Sequence, residues 1–178
     1  MPDTIRTLVE LNQMFADNTF GICSPQDVRD LILSMMVHGE IGSGAKSAIT
    51  LGTGFQALDF TVAGTIARGL TVDTTNKWIA DIPVTLKADV QLEVLFKGTN
   101  GVSYEFGVFK DSGSGFQQVA RLDSPPIRIL NAQMVGTLII SAGIQLAAGD
   151  KLQAGVRANG ESFELLRGNL KVRRIGVE

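Results

Sequence analysis

The stretch from Ile139 to Val156 alternates between apolar and polar residues on both sides of a glycine-aspartate pair, and it constrains the fold more than any other part of the sequence. Gly149 and Asp150 are typical turn residues, because glycine adopts a positive φ without a steric clash and aspartate can accept hydrogen bonds from nearby backbone amides. Apolar residues leave the turn at every second position, which is the period of a half-buried strand. The stretch therefore predicts a hairpin: a strand, a tight turn and a second strand.

Similar alternating runs, such as Val90 to Phe96, continue through most of the chain. Turn-rich segments separate them, and Lys97–Gly101 and Lys110–Gly115 have the composition of hairpin turns. About eight to ten short strands at a spacing of roughly ten residues are typical of a two-sheet sandwich. We therefore predict a mainly β fold, an antiparallel jelly-roll sandwich, over residues 57–178.

The N-terminal part of the chain has a helical pattern instead. Ser24, Pro25 and Asp27 predict a helix start, since serine can accept a hydrogen bond from the amide of residue 27 and proline pre-sets φ at the first helical position. We expect this helix to end near Gly39, where His38 can cap the last carbonyls. Apolar side chains recur along it at helical spacing: Val28, Leu31, Ile32, Met35 and Met36.

The pattern divides the chain into three parts. An N-terminal anchor segment, residues 1–40, holds the helix just described and a shorter predicted helix around Leu8 and Phe15. Residues 41–56 are rich in glycine, serine and threonine, which is typical of a flexible linker. The β-sandwich domain follows over residues 57–178. Charge supports this division: residues 1–40 carry six acids against two arginines, or −4, so the remainder is +2 within a net charge of −2.

Composition argues against an enzyme and against several classes of partner. Cys23 and His38 are the single cysteine and the single histidine, so the sequence offers neither a disulfide, a thiolate-imidazole metal set nor a nucleophile with an oriented base. We predict no enzymatic activity and no cofactor. The basic cluster of Arg167, Lys171 and Arg173–Arg174 lacks interleaved aromatic residues, which favours a solvated strand face over a nucleic-acid site.

No feature of the sequence predicts a membrane partner or export. The start lacks a basic segment followed by an apolar core, and no apolar run approaches the roughly 18 residues of a membrane span. We therefore expect synthesis in the cytoplasm.

Residues 60–178 resemble the trimeric jelly roll of the tumour necrosis factor and complement globular-head superfamily. The shared features are a tryptophan near an early strand, a Tyr-x-Phe strand and a Leu-x-x-Gly-Asp turn before the penultimate strand. The residues that match this fold and trimer signature are Trp78, Tyr104, Phe106, Leu146, Gly149 and Asp150. Animal members usually carry a signal or membrane anchor and often disulfides, which this sequence lacks. The resemblance implies a TNF-like fold and a homotrimer.

The segment from Leu11 to Ser34 resembles a short leader on virion proteins of tailed bacteriophages, ahead of fibre-like or decoration domains. Phe15-Ala-Asp-Asn-Thr and Ser24-Pro-Gln-Asp-Val-Arg-Asp-Leu-Ile carry the resemblance. It implies a capsid decoration protein or head fibre that is located in the virion and docks on the major capsid protein or another virion protein. The implied docking residues are Leu8, Phe15, Asp17, Asn18, Val28, Arg29, Leu31, Ile32 and Met35. The alternative is a tail-associated fibre protein that adsorbs to a host-surface ligand.

Overall fold

A computed structural model describes residues 24–64, 67, 69–80, 85–131, 134–158 and 160–176, together with Arg6, Glu10 and Gln13. Helix α1 spans Pro25–Met35. The strands are β1 (His38–Gly42), β2 (Ser47–Thr50), β3 (Gln56–Ala57), β4 (Val62–Ala63), β5 (Thr71–Asp73), β6 (Trp78–Ala80), β7 (Leu86–Gly98), β8 (Ser103–Asp111), β9 (Gln117–Asp123), β10 (Ile127–Arg128), β11 (Gly136–Leu146), β12 (Lys151–Arg157) and β13 (Ser162–Gly176).

These strands form two antiparallel sheets within the described residues. Sheet A has six strands in the order β11-β7-β13-β1-β4, with β2 also paired to β13. Sheet B has seven strands in the order β10-β8-β12-β6-β5, with β3 paired to β12 and β9 to β8. From β10 to β13, strands that follow one another in sequence alternate between the two sheets. The mainly β, two-sheet architecture predicted from the alternating pattern is confirmed.

The core lies between the sheets and is filled by the alternate residues of the long strands. In β7 every second side chain from Leu86 to Phe96 is buried, as the period of two requires. At one end of the core four aromatic rings cluster, with the Phe96 ring 4.8 Å from Phe106 and 5.6 Å from Phe163. Tyr104 completes this cluster, and its hydroxyl donates to the Ser162 carbonyl at 2.6 Å.

Helix α1 begins where the sequence predicts. The Asp27 amide donates to Ser24 Oγ at 3.2 Å, and the Ser24 amide donates back to Asp27 Oδ2 at 2.8 Å. The side-chain and backbone hydrogen bonds from Ser24 lower the pKa of Asp27. The predicted end is wrong, however: the helix stops at Met35 and His38 opens β1 instead of capping the helix. The buried side chain of Val37 ends the helical pattern, because it inserts into the core at the start of a strand.

The predicted linker at residues 41–56 is wrong. It contains the end of β1 and all of β2, and both strands pair with β13. Ile41 and Leu51 are 0% and 1% exposed. Because these side chains belong to the core, the sandwich begins at His38 and not at residue 57. The chain between α1 and the sandwich is only two residues long.

The structure also corrects two predicted hairpins. Strands β11 and β12, on either side of Gly149 and Asp150, lie in different sheets: β11 pairs with β7, and β12 pairs with β8. Likewise the Lys97–Gly101 segment connects β7 of sheet A to β8 of sheet B. Both segments are therefore connections across the core. The turn at Lys110–Gly115 does join a hairpin, since β8 and β9 pair with each other.

Asp150 holds the connection between β11 and β12 in place. Its carboxylate is 1% exposed and accepts hydrogen bonds from Ser112 Oγ at 2.6 Å and from the Ala147 amide at 2.9 Å. Lys110 Nζ lies 3.2 Å from Asp150 Oδ2, the oxygen that also accepts from the Ala147 amide. Burial alone raises the pKa of Asp150, but the hydrogen bonds from Ser112 and Ala147 and the charge of Lys110 outweigh it and lower the pKa. Asp150 thus ties this connection to the turn between β8 and β9.

Asp150→Asn should lower the free energy of unfolding by about 1–3 kcal/mol at pH 7, because a buried amide replaces a fully hydrogen-bonded carboxylate. A lowered folded-state pKa stabilises the fold above the unfolded pKa of about 4, and this contribution disappears as the pH falls through the folded value. The difference between wild type and variant in urea unfolding should therefore shrink below about pH 4. Asp123→Asn, on an exposed side chain of β9, is the control. An equal loss in both variants would contradict the role of Asp150.

Candidate interaction surfaces

Helix α1 exposes its apolar stripe and buries a charge. Val28, Ile32 and Met36 follow one another at four-residue spacing and are 44%, 48% and 45% exposed. Asp30, in contrast, is 1% exposed, and Arg6 Nη2 lies 3.1 Å from its Oδ2. A surface helix usually has the opposite arrangement, with its apolar side turned towards the core. We refer to Val28 and Ile32 of α1, together with Met36 in the turn directly after it, as the α1 stripe, and it is a candidate docking surface.

The α1 stripe is held at one end of sheet A. The Arg174 amide in β13 donates to the Val37 carbonyl at 3.1 Å, which extends the β1 pairing to the residue before the strand. The Arg174 side chain donates from Nη1 to the Arg6 carbonyl at 3.4 Å. Since Arg6 also pairs with Asp30, it connects α1 to β13. The helix is therefore fixed to the sandwich and presents its stripe in a defined place.

The structure brings together only part of the predicted docking set. Val28 and Ile32 lie in the stripe, Leu31 is half-buried, and Arg29 is exposed and donates from Nη2 to Gln26 at 2.9 Å. Met36 is not in the predicted docking set, but it is exposed and belongs to the stripe. The side chain of Met35 and the residues Leu8, Phe15, Asp17 and Asn18 lie outside the described part of the chain, as does Cys23.

The outward face of sheet A carries a second candidate surface. All exposed large hydrophobic side chains in described strands belong to this sheet: Val62 is 48%, Ile139 62% and Ile175 57% exposed. Ile175 Cδ1 lies 3.4 Å from the ideal Cβ position of Gly143, so its side chain extends over the sheet towards β11. Sheet B has no exposed large hydrophobic side chain among its described residues. Among the described strands, the exposed large apolar side chains are thus confined to sheet A.

Charged and polar side chains lie between these apolar positions. Lys171 Nζ is 3.5 Å from Glu93 Oε1, and Ser141 Oγ donates to Asp89 at 2.7 Å. Asn169 donates to Glu40 at 3.1 Å, while its own Oδ1 is buried without a hydrogen-bond partner within the described residues. The basic cluster predicted as a solvated strand face therefore lies partly among acidic partners. Its Lys171 is paired, whereas Arg167 and Arg173 are exposed.

His38 borders this face beside Arg173 of β13. Burial lowers the pKa of its imidazole, and the positive charges of Arg173 and Lys171 lower it further, against the opposing effect of Glu40. The side chain is therefore neutral near pH 7. It adds no charge to the outward face of sheet A under those conditions.

The fold-signature residues do not form one site. Tyr104 and Phe106 belong to the aromatic cluster, and Gly149 has a φ of +84° in the connection that Asp150 holds. Trp78 is half-buried on β6, and Lys151 Nζ lies 5.3 Å from its ring centroid. Their positions are those of structural residues in the sandwich.

A group of residues on sheet B corresponds to no motif in the sequence. Arg157 Cζ lies 4.7 Å above the ring of Phe55, which meets Phe109 edge-on at 4.8 Å. Arg157 also pairs with Glu105. These residues come from β12, β8 and the segment before β3. No local spacing connects them, and only the strand pairing could have indicated the group.

Two further structural observations concern the predicted absence of a metal and a membrane span. Within the described residues, no three histidine, cysteine or acidic side chains come together in a way that could hold a metal ion. In the same part of the chain, no helix has the length and apolar character needed to cross a membrane.

The fold is similar to a known one, although the sequence is not. No protein-family model matches the chain, and no curated protein matches it. Among solved structures, Eiger TNF from S. frugiperda matches with a TM-score of 0.58 and 14% identity, over 80% of this chain and 95% of that one. At this identity the match shows the fold alone. It supports the TNF-like jelly roll that the resemblance of residues 60–178 implied.

Proposed function

We propose that this chain is a structural protein of a tailed-bacteriophage virion, a capsid decoration protein or head fibre. Three copies associate through the outward face of sheet A, and each docks through α1 on the major capsid protein or another virion protein. The resemblance of the segment from Leu11 to Ser34 to phage virion leaders supports the location in the virion. The TNF-like jelly roll is consistent with a trimeric domain.

The exposed α1 stripe is the observation that carries the docking proposal. Fully burying an exposed apolar side chain of this size contributes about 1.5–3 kcal/mol, and because the stripe side chains are a little under half exposed, covering each of them would contribute about half of that. Three such side chains in one row, on a helix that Arg6 and Asp30 hold in place, provide a preorganised apolar surface. A protein partner that covers the stripe recovers this free energy.

The uneven distribution of exposed apolar residues between the sheets supports the proposed contact between copies. Ile139 and Ile175 would be covered by neighbouring copies, whereas sheet B would remain exposed. A trimer presents three α1 stripes at once. Because the second and third docking events are then intramolecular, a weak contact at each helix becomes a durable attachment.

Ile32→Asp should weaken docking at least about tenfold per copy, because an aspartate in the contact must lose its hydration without gaining a partner. The measurement is the occupancy of labelled full-length protein on particles that lack it, imaged by electron microscopy, with binding to intact host cells measured in parallel. For the wild-type protein we expect regular labelling of the head without binding to cells, and for Ile32→Asp we expect a lower occupancy on the head. A deletion through residue 42 is a poorer test, since it removes β1.

Leu130→Asp is the matched control, because Leu130 is 67% exposed but lies in the segment after β10, away from α1. It should leave occupancy unchanged, and both variants should keep the wild-type melting temperature. Wild-type occupancy with Ile32→Asp would contradict docking through the stripe. Labelling of the tail together with strong cell binding would favour the tail-associated adsorption protein, and labelling of neither would contradict a virion role.

A further inference from the structure

A small polar pocket opens on the outer face of sheet B. Its volume is about 230 Å³, and Thr53, Ser103, Glu105, Arg157 and Ala158 line it. It lies on the sheet opposite to the face proposed for trimer contact. Each copy in a trimer would therefore keep this pocket open to solvent.

Arg157 and Glu105 form the polar side of the pocket. They are directly opposite each other on the paired strands β12 and β8. Arg157 Nε donates to Glu105 Oε2 at 3.0 Å, and Nη2 donates to the same oxygen. Because both bonds converge on one oxygen, Arg157 Nη1 and Glu105 Oε1 make no hydrogen bond within the described residues. Nη1 lies on the side of the guanidinium opposite to the Nε–Nη2 fork, so this open donor points away from the carboxylate.

Aromatic rings fix this pair in position. The Arg157 guanidinium lies over the Phe55 ring, and Phe55 rests edge-on against Phe109 with an interplanar angle of 63°. Phe109 in turn covers Gly155, whose ideal Cβ position is 2.8 Å from Phe109 Cε2. Stacking and the ion pair together restrict the guanidinium, so little side-chain entropy remains to be lost on binding.

We propose that this pocket binds an uncharged monosaccharide unit at the end of a glycan. Sugar hydroxyls each donate and accept, so they can pair with the open Nη1 donor, with the open Oε1 acceptor and with the hydroxyls of Thr53 and Ser103. The ion pair is neutral overall, so the pocket offers an anionic sugar no net attraction.

The pocket is smaller than the roughly 300–1,000 Å³ of typical drug-sized sites, which suits a single sugar ring. A ligand of that size in a shallow pocket binds with a dissociation constant of about 1 mM. Three pockets per trimer would raise the apparent affinity for a surface that displays many copies of the sugar. This activity goes beyond the proposed structural role and does not depend on attachment to a particle.

The test is titration of ¹⁵N-labelled full-length protein with methyl glycosides of glucose, galactose, mannose and N-acetylglucosamine, followed by NMR. At least one should shift the amides of Arg157, Glu105 and Phe55 with saturation in the millimolar range. Arg157→Lys should weaken this binding about tenfold, because lysine keeps the charge but loses the planar fork. Arg128→Lys, on β10 of the same sheet, should bind as wild type.

Three results would overturn the inference. They are the absence of saturable shifts up to about 50 mM of every glycoside, shifts confined to residues away from the pocket, and binding of methyl glucuronide alone. Unchanged binding by Arg157→Lys would equally remove the guanidinium from the site. Because the assay uses free protein, a failure here would leave the particle-labelling experiment unaffected.

Discussion

Phe96→Ala should lower the free energy of unfolding by about 3–5 kcal/mol, the largest loss we expect from a single core substitution. Phe96 is 0% exposed, and its ring lies within 6 Å of the ring centroids of Tyr104, Phe106 and Phe163. It also covers Gly136, whose ideal Cβ position is 2.4 Å from Phe96 Cε1. Alanine would leave a cavity at the place where β7, β8, β11 and β13 meet.

Urea unfolding at one fixed protein concentration is the appropriate measurement, since self-association contributes to apparent stability. Gln117→Ala is the control, because Gln117 is exposed at the start of β9 and its loss should change the free energy of unfolding by less than about 0.5 kcal/mol. Phe96→Leu should give an intermediate loss. A loss below about 1.5 kcal/mol for Phe96→Ala would mean that the surrounding rings collapse into the cavity.

The sequence located the long strands because alternation reports which face of a strand is buried. It could not identify their partners. Leu146 and Leu152 are both fully buried, as they would be in a hairpin, yet they enter the same core from opposite sheets. The same alternation of apolar residues arises in a hairpin within one sheet and in two strands that lie in different sheets. What identifies the connection is the strand pairing in the structure, together with the hydrogen bonds that the Asp150 carboxylate accepts from the Ala147 amide and from Ser112 Oγ.

Glycine content misled the domain prediction for a related physical reason. Composition alone cannot separate a glycine needed for flexibility from one needed for close packing. The ideal Cβ position of Gly42 lies 2.9 Å from the Gly168 carbonyl oxygen, so a side chain there would collide with the neighbouring strand β13. Gly42 is thus required by the pairing of β1 with β13. The segment has the composition of a linker but forms part of sheet A.

The candidate surfaces differ in how far the sequence predicts them. Val28 and Ile32 could be predicted, because helical periodicity groups residues close in sequence. The sequence does not predict that the stripe faces solvent, because this orientation depends on the buried ion pair of Asp30 with Arg6. The pocket of Arg157, Glu105 and Phe55 was unpredictable from local patterns, because the pairing of β8 with β12 brings it together.

Ile139→Asp should convert the proposed trimer into monomers at micromolar protein concentration. Ile139 is 62% exposed near the edge of sheet A, on β11, and a depression beside it is lined by Leu95, Glu93 and Arg167. At a three-fold contact the substitution introduces three carboxylates together. Burying a charge without a partner costs several kcal/mol for each copy, which exceeds what a contact of this kind can recover. Sedimentation velocity over a range of concentrations measures the change.

The control for this experiment separates the face of sheet A from exposed apolar residues in general. Leu130→Asp introduces the same charge at a side chain that is 67% exposed but lies outside the strands, so the trimer should persist. Dissociation of both variants would mean that the contact includes the segment after β10. A trimer with Ile139→Asp would place the contact elsewhere, and a monomeric wild-type protein would contradict self-association. In that last case each particle-docking site would hold a single α1 stripe, and the attachment would lack the contribution of multivalency.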